Sequence, residues 1–377
     1  MAARLNVIDL AQALVRCPSV TPAEGGALNL CQDYLTAQGF MTWRLPFDEV
    51  DNLFARFGTG APHLCFAGHT DVVPVGQESD WTYPPFAGEI VDGVLYGRGA
   101  EDMKANIAAA LTAGGDFLMQ TPGFGGSISF LLTGDEEGPA INGTQKVLQW
   151  MAQEGQIPDY CVVIEPTARQ RPGDTLKIGR RGSLNAILSV EGVQGHIAYP
   201  SKADNPLHPL VQLLNTLIAQ PLDQGTAHFE PSSLQISSID VGNPATNLIP
   251  AGGSAQFNIR FNDLWTPETL TAEIRSRLDS HGRAYNLKTT CNAVAFITPP
   301  EKLAQPLAQA LVHGDIGAPA FSTAGGTSDA RFIQAYCPVV EMGLVGRTMH
   351  QVDECVHIAD IETLRDLYSL AIRALTL

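Results

Sequence analysis

A chain of 377 residues with 45% hydrophobic and 16% charged residues is a globular protein of about two domains. Its formal net charge of −16, with a pI near 4.9, argues against nucleic acid or an anionic membrane surface as partner. An anionic small molecule is repelled at long range by such a surface, so recognising one requires a local cluster of arginines.

The first segment, MAARLNVIDLAQALVR, reads as an amphipathic helix over residues 5–15 rather than a signal peptide, because Asn6 and Asp9 interrupt it and no small-residue cleavage site follows. No stretch of the chain reaches the ~20 apolar residues of a membrane span. A second helix is expected over 27–37, with Gly39 as a C-terminal cap, then strands over 52–57 and 64–67. Residues 106–119 form a small-residue helix able to lie close to a sheet, although Gly114 and Gly115 weaken it. Short apolar runs at 127–132 and 160–164 read as buried central strands, separated by a helix over 143–153. This alternation predicts an α/β domain with a mostly parallel sheet, whose ligands gather at the carboxyl ends of the strands.

The pattern then changes. A strand over 176–190, a helix over 205–219, strands over 234–241 and 254–261, a helix over 267–280 begun by Thr266 and followed by Gly282, and a strand over 285–291 give the order β-α-β-β-α-β of a ferredoxin-like unit. That unit is complete in itself, so residues 180–292 are expected to be a domain inserted between 1–179 and 293–377. The α/β pattern resumes with a helix over 302–312, a buried strand over 338–344 and a closing helix over 361–375. The seven cysteines form no CxxC pair and several lie inside apolar runs, which predicts buried, reduced thiols in a cytoplasmic protein.

His69, Asp102, Glu137, Glu165 and His350 each stand at the end of an apolar run or the start of a helix. Two imidazoles and three carboxylates are the donor set for two clustered divalent ions, one carboxylate bridging. Taken singly, each has a plainer alternative: Asp102 as a helix N-cap, Asp135-Glu136-Glu137 as a solvated acidic turn, Glu165 as a hydrogen-bond acceptor, His69 and His350 as loop histidines. Their coincidence at one end of an α/β sheet favours a dinuclear site. Ligation by oxygen and imidazole without sulfur suits zinc, with cobalt or manganese as substitutes. Neighbouring acids cannot all face one point, so Glu137 is read as the ligand and Glu136 as a general base. Asp71 stands two residues beyond His69 and is expected to accept its second ring proton.

In the inserted segment, GHIAYP presents His196 between a glycine and a proline, as a donor to a developing oxyanion or as an ordinary loop residue. Arg180 and Arg181 in GRRGS offer forks for substrate carboxylates, Arg260 in FNIRF stands on one face of a strand, and the small-residue loop 322–329 offers backbone N–H groups to an anion; a purely structural role is the plainer alternative for each.

Together GHTDVVPVG, YGRGAEDMK, DEEGPAINGT, VVIEPT, GRRGS, GHIAYP and GGTSDARF resemble the dinuclear-zinc aminoacylase and carboxypeptidase-like metallohydrolases, from about residue 5 to the C-terminus. The resemblance implies a zinc-peptidase-like catalytic domain interrupted by a dimerisation lid, and a homodimer. It implies two zinc ions per subunit, His69 and Glu165 on one, Glu137 and His350 on the other, and Asp102 bridging. Glu136 is similar to the family's general base, Asp71 to the residue behind the first histidine, and His196 to a histidine delivered from the other subunit. Arg180, Ser183, Tyr199, Asn247, Arg260, Gly326 and Thr327 match positions associated with substrate. The expected activity is hydrolysis of an acyl amide on an amino-acid dicarboxylate, in the branch of the family serving diaminopimelate and lysine synthesis. A related deacylase or carboxypeptidase, or a non-catalytic metal- or peptide-binding module, is the alternative. The chain departs from the family in carrying Glu101 where a small residue is expected before the bridging aspartate; that carboxylate either alters metal affinity or points outward.

Overall fold

The computed structural model describes residues 5–314 and 316–377; the first four residues of the predicted outer domain and Asp315 lie outside it. The chain divides into two compact units, one formed by Met1–Ile178, Thr298–Ser322 and Ser328–Leu377, the other by Gly179–Ile297 with Thr323–Thr327.

The first unit is built on an eight-stranded sheet in the order Met41–Arg44, Leu53–Phe57, Ser127–Thr133, His63–His69, Tyr160–Val163, Val339–Glu341, Thr175–Lys177, Ala320–Ser322. Its centre is parallel: His63–His69 runs alongside both Ser127–Thr133 and Tyr160–Val163, which in turn runs alongside Val339–Glu341. Antiparallel pairing is confined to Met41–Arg44 with Leu53–Phe57, Leu53–Phe57 with Ser127–Thr133, and a single contact of Glu341 with Lys177. All seven residues of His63–His69 and of Ser127–Thr133 are buried, as expected of strands covered on both faces.

The helix Ala105–Gln120 lies against this sheet and is buried through Gly115. Its glycines do not end it. A side-chain carbon at Gly114 would sit 3.1 Å from the Phe130 ring, so the missing atom is what lets the helix approach the sheet. Val7–Val15 is capped by Asn6, whose side chain accepts from the amides of Ile8 and Asp9. Among the described residues no helix is long and apolar enough to cross a membrane.

The second unit is a four-stranded antiparallel sheet in the order Ser233–Asp240, Gly252–Phe261, Gly182–Glu191, Asn286–Ala293, carrying the helices Leu207–Ala219 and Pro267–Asp279. In chain order these elements run β-α-β-β-α-β, and the spatial order of the strands is that of the ferredoxin-like fold. Alternate residues Leu184, Ala186, Leu188 and Val190 enter a core with Leu210, Leu213, Ile274 and Leu278. Thr266 and Thr269 form a reciprocal cap at the start of Pro267–Asp279.

One predicted element requires correction. The continuous strand expected over 176–190 is three strands: Thr175–Lys177 in the large sheet, Gly179–Arg180 against Phe296–Ile297, and Gly182–Glu191 in the small sheet. The apolar alternation continues across the break, so only the change of pairing partner reveals it. Gly179 permits that change, since a side-chain carbon there would stand 2.2 Å from the Phe296 carbonyl oxygen.

Candidate metal centre

Four parallel strands deliver acid and imidazole groups to one end of the large sheet. His69 is the last residue of its strand, Glu136 and Glu137 follow Ser127–Thr133 within four residues, Glu165 follows Tyr160–Val163 by two, and His350 lies on the loop after Val339–Glu341. Asp102 comes from the irregular turn Ala100–Lys104 ahead of the Ala105–Gln120 helix, with φ of −119° and ψ of 90°; Lys104 holds the cap position of that helix, so Asp102 is not the simple helix cap its sequence allows.

His69 Nδ1 donates to the backbone carbonyl of Asp71 at 2.8 Å. A carbonyl only accepts, so Nδ1 carries a proton and Nε2 is left to a metal ion or, without one, to a second proton. Nε2 lies 3.1 Å from Asp102 Oδ1 and 3.7 Å from Glu165 Oε1. The second imidazole sits opposite: His350 Nε2 is 3.2 Å from Asp102 Oδ2 and 2.7 Å from Glu137 Oε1. Each oxygen of Asp102 thus faces a different histidine. Ligand atoms of His69, Asp102 and Glu137 fall within 4.8 Å of one another, as do those of His69, Glu136 and Glu165. Imidazole nitrogens this close to carboxylate oxygens require positive charge between them, from protons or from ions, and hard oxygen with imidazole is the donor set that divalent zinc or cobalt accepts. The residues fit such ions.

The electrostatics of the protein side chains follow from this crowding. Burial disfavours a charged His69, but Asp102, Glu165 and Glu136 outweigh it and hold the ring's pKa well above the ordinary value. Hydrogen bonds from His350 to Asp102 and Glu137 raise its pKa to about 10. Burial opposes ionisation of Asp102, yet the two imidazoles hold its pKa well below the carboxylate range. Burial pushes Glu136 up to about 8, with Asp329, Glu137 and Asp102 adding to the effect and His69 opposing it.

Asp71 corrects one expectation. Its carbonyl, not its carboxylate, receives the His69 proton; the carboxylate oxygen is 3.7 Å from Nδ1. That carboxylate instead accepts from the amides of Glu136 at 3.3 Å and Glu137 at 3.0 Å. A single residue therefore orients the histidine through its backbone and the acidic turn through its side chain.

Three carboxylates have roles that the sequence did not assign to them. Glu354, fully buried, accepts from the amides of Gly99, Glu101 and Asp102 at 3.0–3.1 Å and pairs with Arg98 at 2.7 Å. It fixes the turn that presents Asp102; its signal was an acid four residues beyond His350 in HQVDE. The carboxylate of Asp135 accepts from the amides of Ala140, Ile141 and Asn142 and shapes the loop beyond Glu137. Asp329, raised to about 6 mainly by burial, adds negative charge near Glu136.

The second unit holds the remaining candidates. Arg180 Nη1 donates to the Gly326 carbonyl at 3.0 Å, which ties the GRRGS turn to the segment bearing Gly326 and Thr327. Ser183 and Arg260 are register partners on adjacent strands, and the Ser183 hydroxyl accepts from Asn258 at 3.0 Å. Burial, then the proximity of Arg181, lowers the pKa of Arg260, so cationic groups are concentrated on this face. His196 and Tyr199 are exposed with ring centroids 5.5 Å apart, and Ile197 donates to the Asn247 carbonyl at 3.1 Å. His196, Tyr199 and Asn247 thus belong to one loop pair, distinct from the Arg180–Ser183–Arg260 group.

The profile of peptidase family M20/M25/M40 matches residues 65–374, and the chain belongs to that family of metal-dependent hydrolases. It is 56% identical over 372 residues to a succinyl-diaminopimelate desuccinylase of Beijerinckia indica, covering 97% of each chain. It is 56% identical over 366 residues to the succinyl-diaminopimelate desuccinylase of Rhodospirillum centenum, covering 96% of this chain and 95% of that one. Its fold is also that of aminopeptidase PepT from Bacillus cereus, with a TM-score of 0.79 at 16% identity, covering 99% and 98% of the two chains.

Proposed function

We propose that the chain hydrolyses N-succinyl-LL-2,6-diaminopimelate to succinate and LL-2,6-diaminopimelate. The observation that carries the hydrolytic reading is the placement of Asp102 with one oxygen toward each imidazole, beside a half-buried Glu136. The substrate rests on the relatives at 56% identity over 97% of the chain.

His69 and Glu165 would hold one divalent ion, Glu137 and His350 the other, and Asp102 both. Two zinc ions there, or cobalt in their place, supply Lewis acidity to the attacking water and to the amide carbonyl. Glu136 takes the proton from water as it attacks the succinyl carbon and returns it to the departing amine, so no net proton is left on the enzyme. Its raised pKa in the protein alone reflects burial among acids, and positive charge at the site draws it back toward neutrality, the range useful to a base. Asp71 holds both His69 and the Glu136–Glu137 backbone in register.

The chain is read as a homodimer in which His196 of the partner subunit donates to the oxyanion. Arg180, Ser183, Tyr199, Asn247, Arg260, Gly326 and Thr327 recognise the substrate carboxylates; the arginines supply the local positive charge that a protein of net charge −16 otherwise lacks. The reading places the protein in the cytoplasm, in keeping with its seven free cysteines.

Elemental analysis of purified protein together with rates on N-succinyl-LL-2,6-diaminopimelate and N-acetylornithine tests this. Two ions per chain and preference for the succinyl substrate are expected. Faster turnover of N-acetylornithine would overturn the substrate assignment.

A further inference from the structure

Glu101, which the sequence left either altering metal affinity or pointing outward, points inward. It is 4% exposed, and its carboxylate accepts from the amides of Arg347 at 3.0 Å and Thr348 at 2.6 Å and from the Thr348 hydroxyl at 2.8 Å. Its own backbone is fixed on both sides: the amide donates to Glu354 at 3.0 Å, and the carbonyl accepts from Asn106 at 2.7 Å. The hydroxyl of Thr348 also accepts from the amide of Cys355 at 3.0 Å, closing the two ends of the loop that carries His350.

That loop needs an anchor. His350 has φ of +63°, a left-handed conformation that a side chain other than glycine adopts only when its surroundings hold it there. Its ring is also nearly half exposed, so packing alone does not fix it. A small residue at position 101 would leave the Arg347 and Thr348 amides, three and two residues before the imidazole, without this acceptor.

We infer that Glu101 is a positioning residue that locks the His350 loop onto the turn carrying Asp102 and so sets the affinity of the second metal position. The inference rests on the metal assignment proposed above. The dipeptide Glu101-Asp102 then plays a double part: Asp102 faces His350 directly, and Glu101 holds the backbone that presents it. Both contacts originate in one turn, Ala100–Lys104, so the position of the His350 loop is tied to that of the bridging carboxylate.

The test is zinc binding by chelator competition, resolving two affinities in the wild-type protein, Glu101→Ala, Glu101→Gln and Thr348→Val. Glu101→Ala is expected to weaken the second ion about 10–100-fold while leaving the first within about twofold, the scale on which partners of ligating residues act. Glu101→Gln should fall between, since its amide keeps one accepting oxygen but sets an N–H₂ group against a second backbone N–H. Thr348→Val should weaken the same ion, and the double variant Glu101→Ala/Thr348→Val should be little worse than Glu101→Ala alone. In all variants kcat should recover at saturating zinc with KM unchanged. Unchanged affinities in Glu101→Ala, or an equal loss of both ions, would overturn the inference. If Glu101→Ala does not fold, the affinities of Glu101→Gln and Thr348→Val decide between the same two outcomes. Fewer than two ions in the wild-type protein would instead refute the metal centre, and Glu101's role with it.

Discussion

His63 and His69 occupy opposite ends of one strand, and both are buried, at 4% and 1% exposure. Their chemistry is opposite. At the amino end, burial and the nearby Arg56 depress His63 to about 4, and its ring shares a hydrogen bond with Ser129 at 2.8 Å. At the carboxyl end, Asp102, Glu165 and Glu136 outweigh burial and raise His69. Five residues of one strand separate a neutral structural histidine from a ligand candidate. The lesson is that the end of a parallel sheet, not the residue type or its burial, selects the environment: loops leaving the carboxyl ends converge and bring their acids together.

The largest effect that would sharpen this contrast lies in Glu136. Glu136→Gln is expected to lower kcat by about 10²–10⁴-fold while both ions remain bound; steady-state rates and elemental analysis on the same sample check it, and retained activity would remove Glu136 as the base. Next, His69→Ala and His350→Ala should each reduce the metal content from two ions toward one, whereas His63→Gln should keep both ions and kcat. Loss of metal in His63→Gln, or none in His69→Ala, would erase the distinction between the two ends.

The pH dependence of stability separates the histidines by sign. His63 is depressed in the folded state, so its contribution is complete above the unfolded pKa near 6.5 and is lost as pH falls toward about 4. The loss is on the order of 3 kcal/mol, since each tenfold change in proton affinity is worth about 1.36 kcal/mol. Denaturant unfolding of wild type and His63→Gln between pH 4 and 7 should show that slope flattening in the variant. In metal-free protein His350, raised to about 10, works the other way: its contribution is present below the unfolded pKa and disappears as pH rises through about 10. The smallest effect is expected from Ser129→Ala, which removes the hydroxyl beside His63 and should cost about 1 kcal/mol in the same unfolding experiment without altering metal content.

Much of this was legible in the sequence. The switch from α/β alternation to β-α-β-β-α-β order is visible because side-chain periodicity reports which face of each element is buried. The ligand candidates stand out because acids and histidines end apolar runs. The strand over 176–190 misled because one alternating pattern serves two sheets, and hydropathy carries no record of the pairing partner.

By itself the sequence determined which acids and histidines are candidates to hold metal and which strands would bring them to one end of the sheet. Tertiary structure decided how they are held: that Asp71 grips His69 by its carbonyl, that Glu354 braces the Asp102 turn, and that Glu101 faces inward rather than toward solvent. Hydrogen bonds between groups more than two hundred residues apart, such as Glu101 with Arg347 and Thr348, depend on where two backbones come to rest, and local patterns of residue type do not encode that distance.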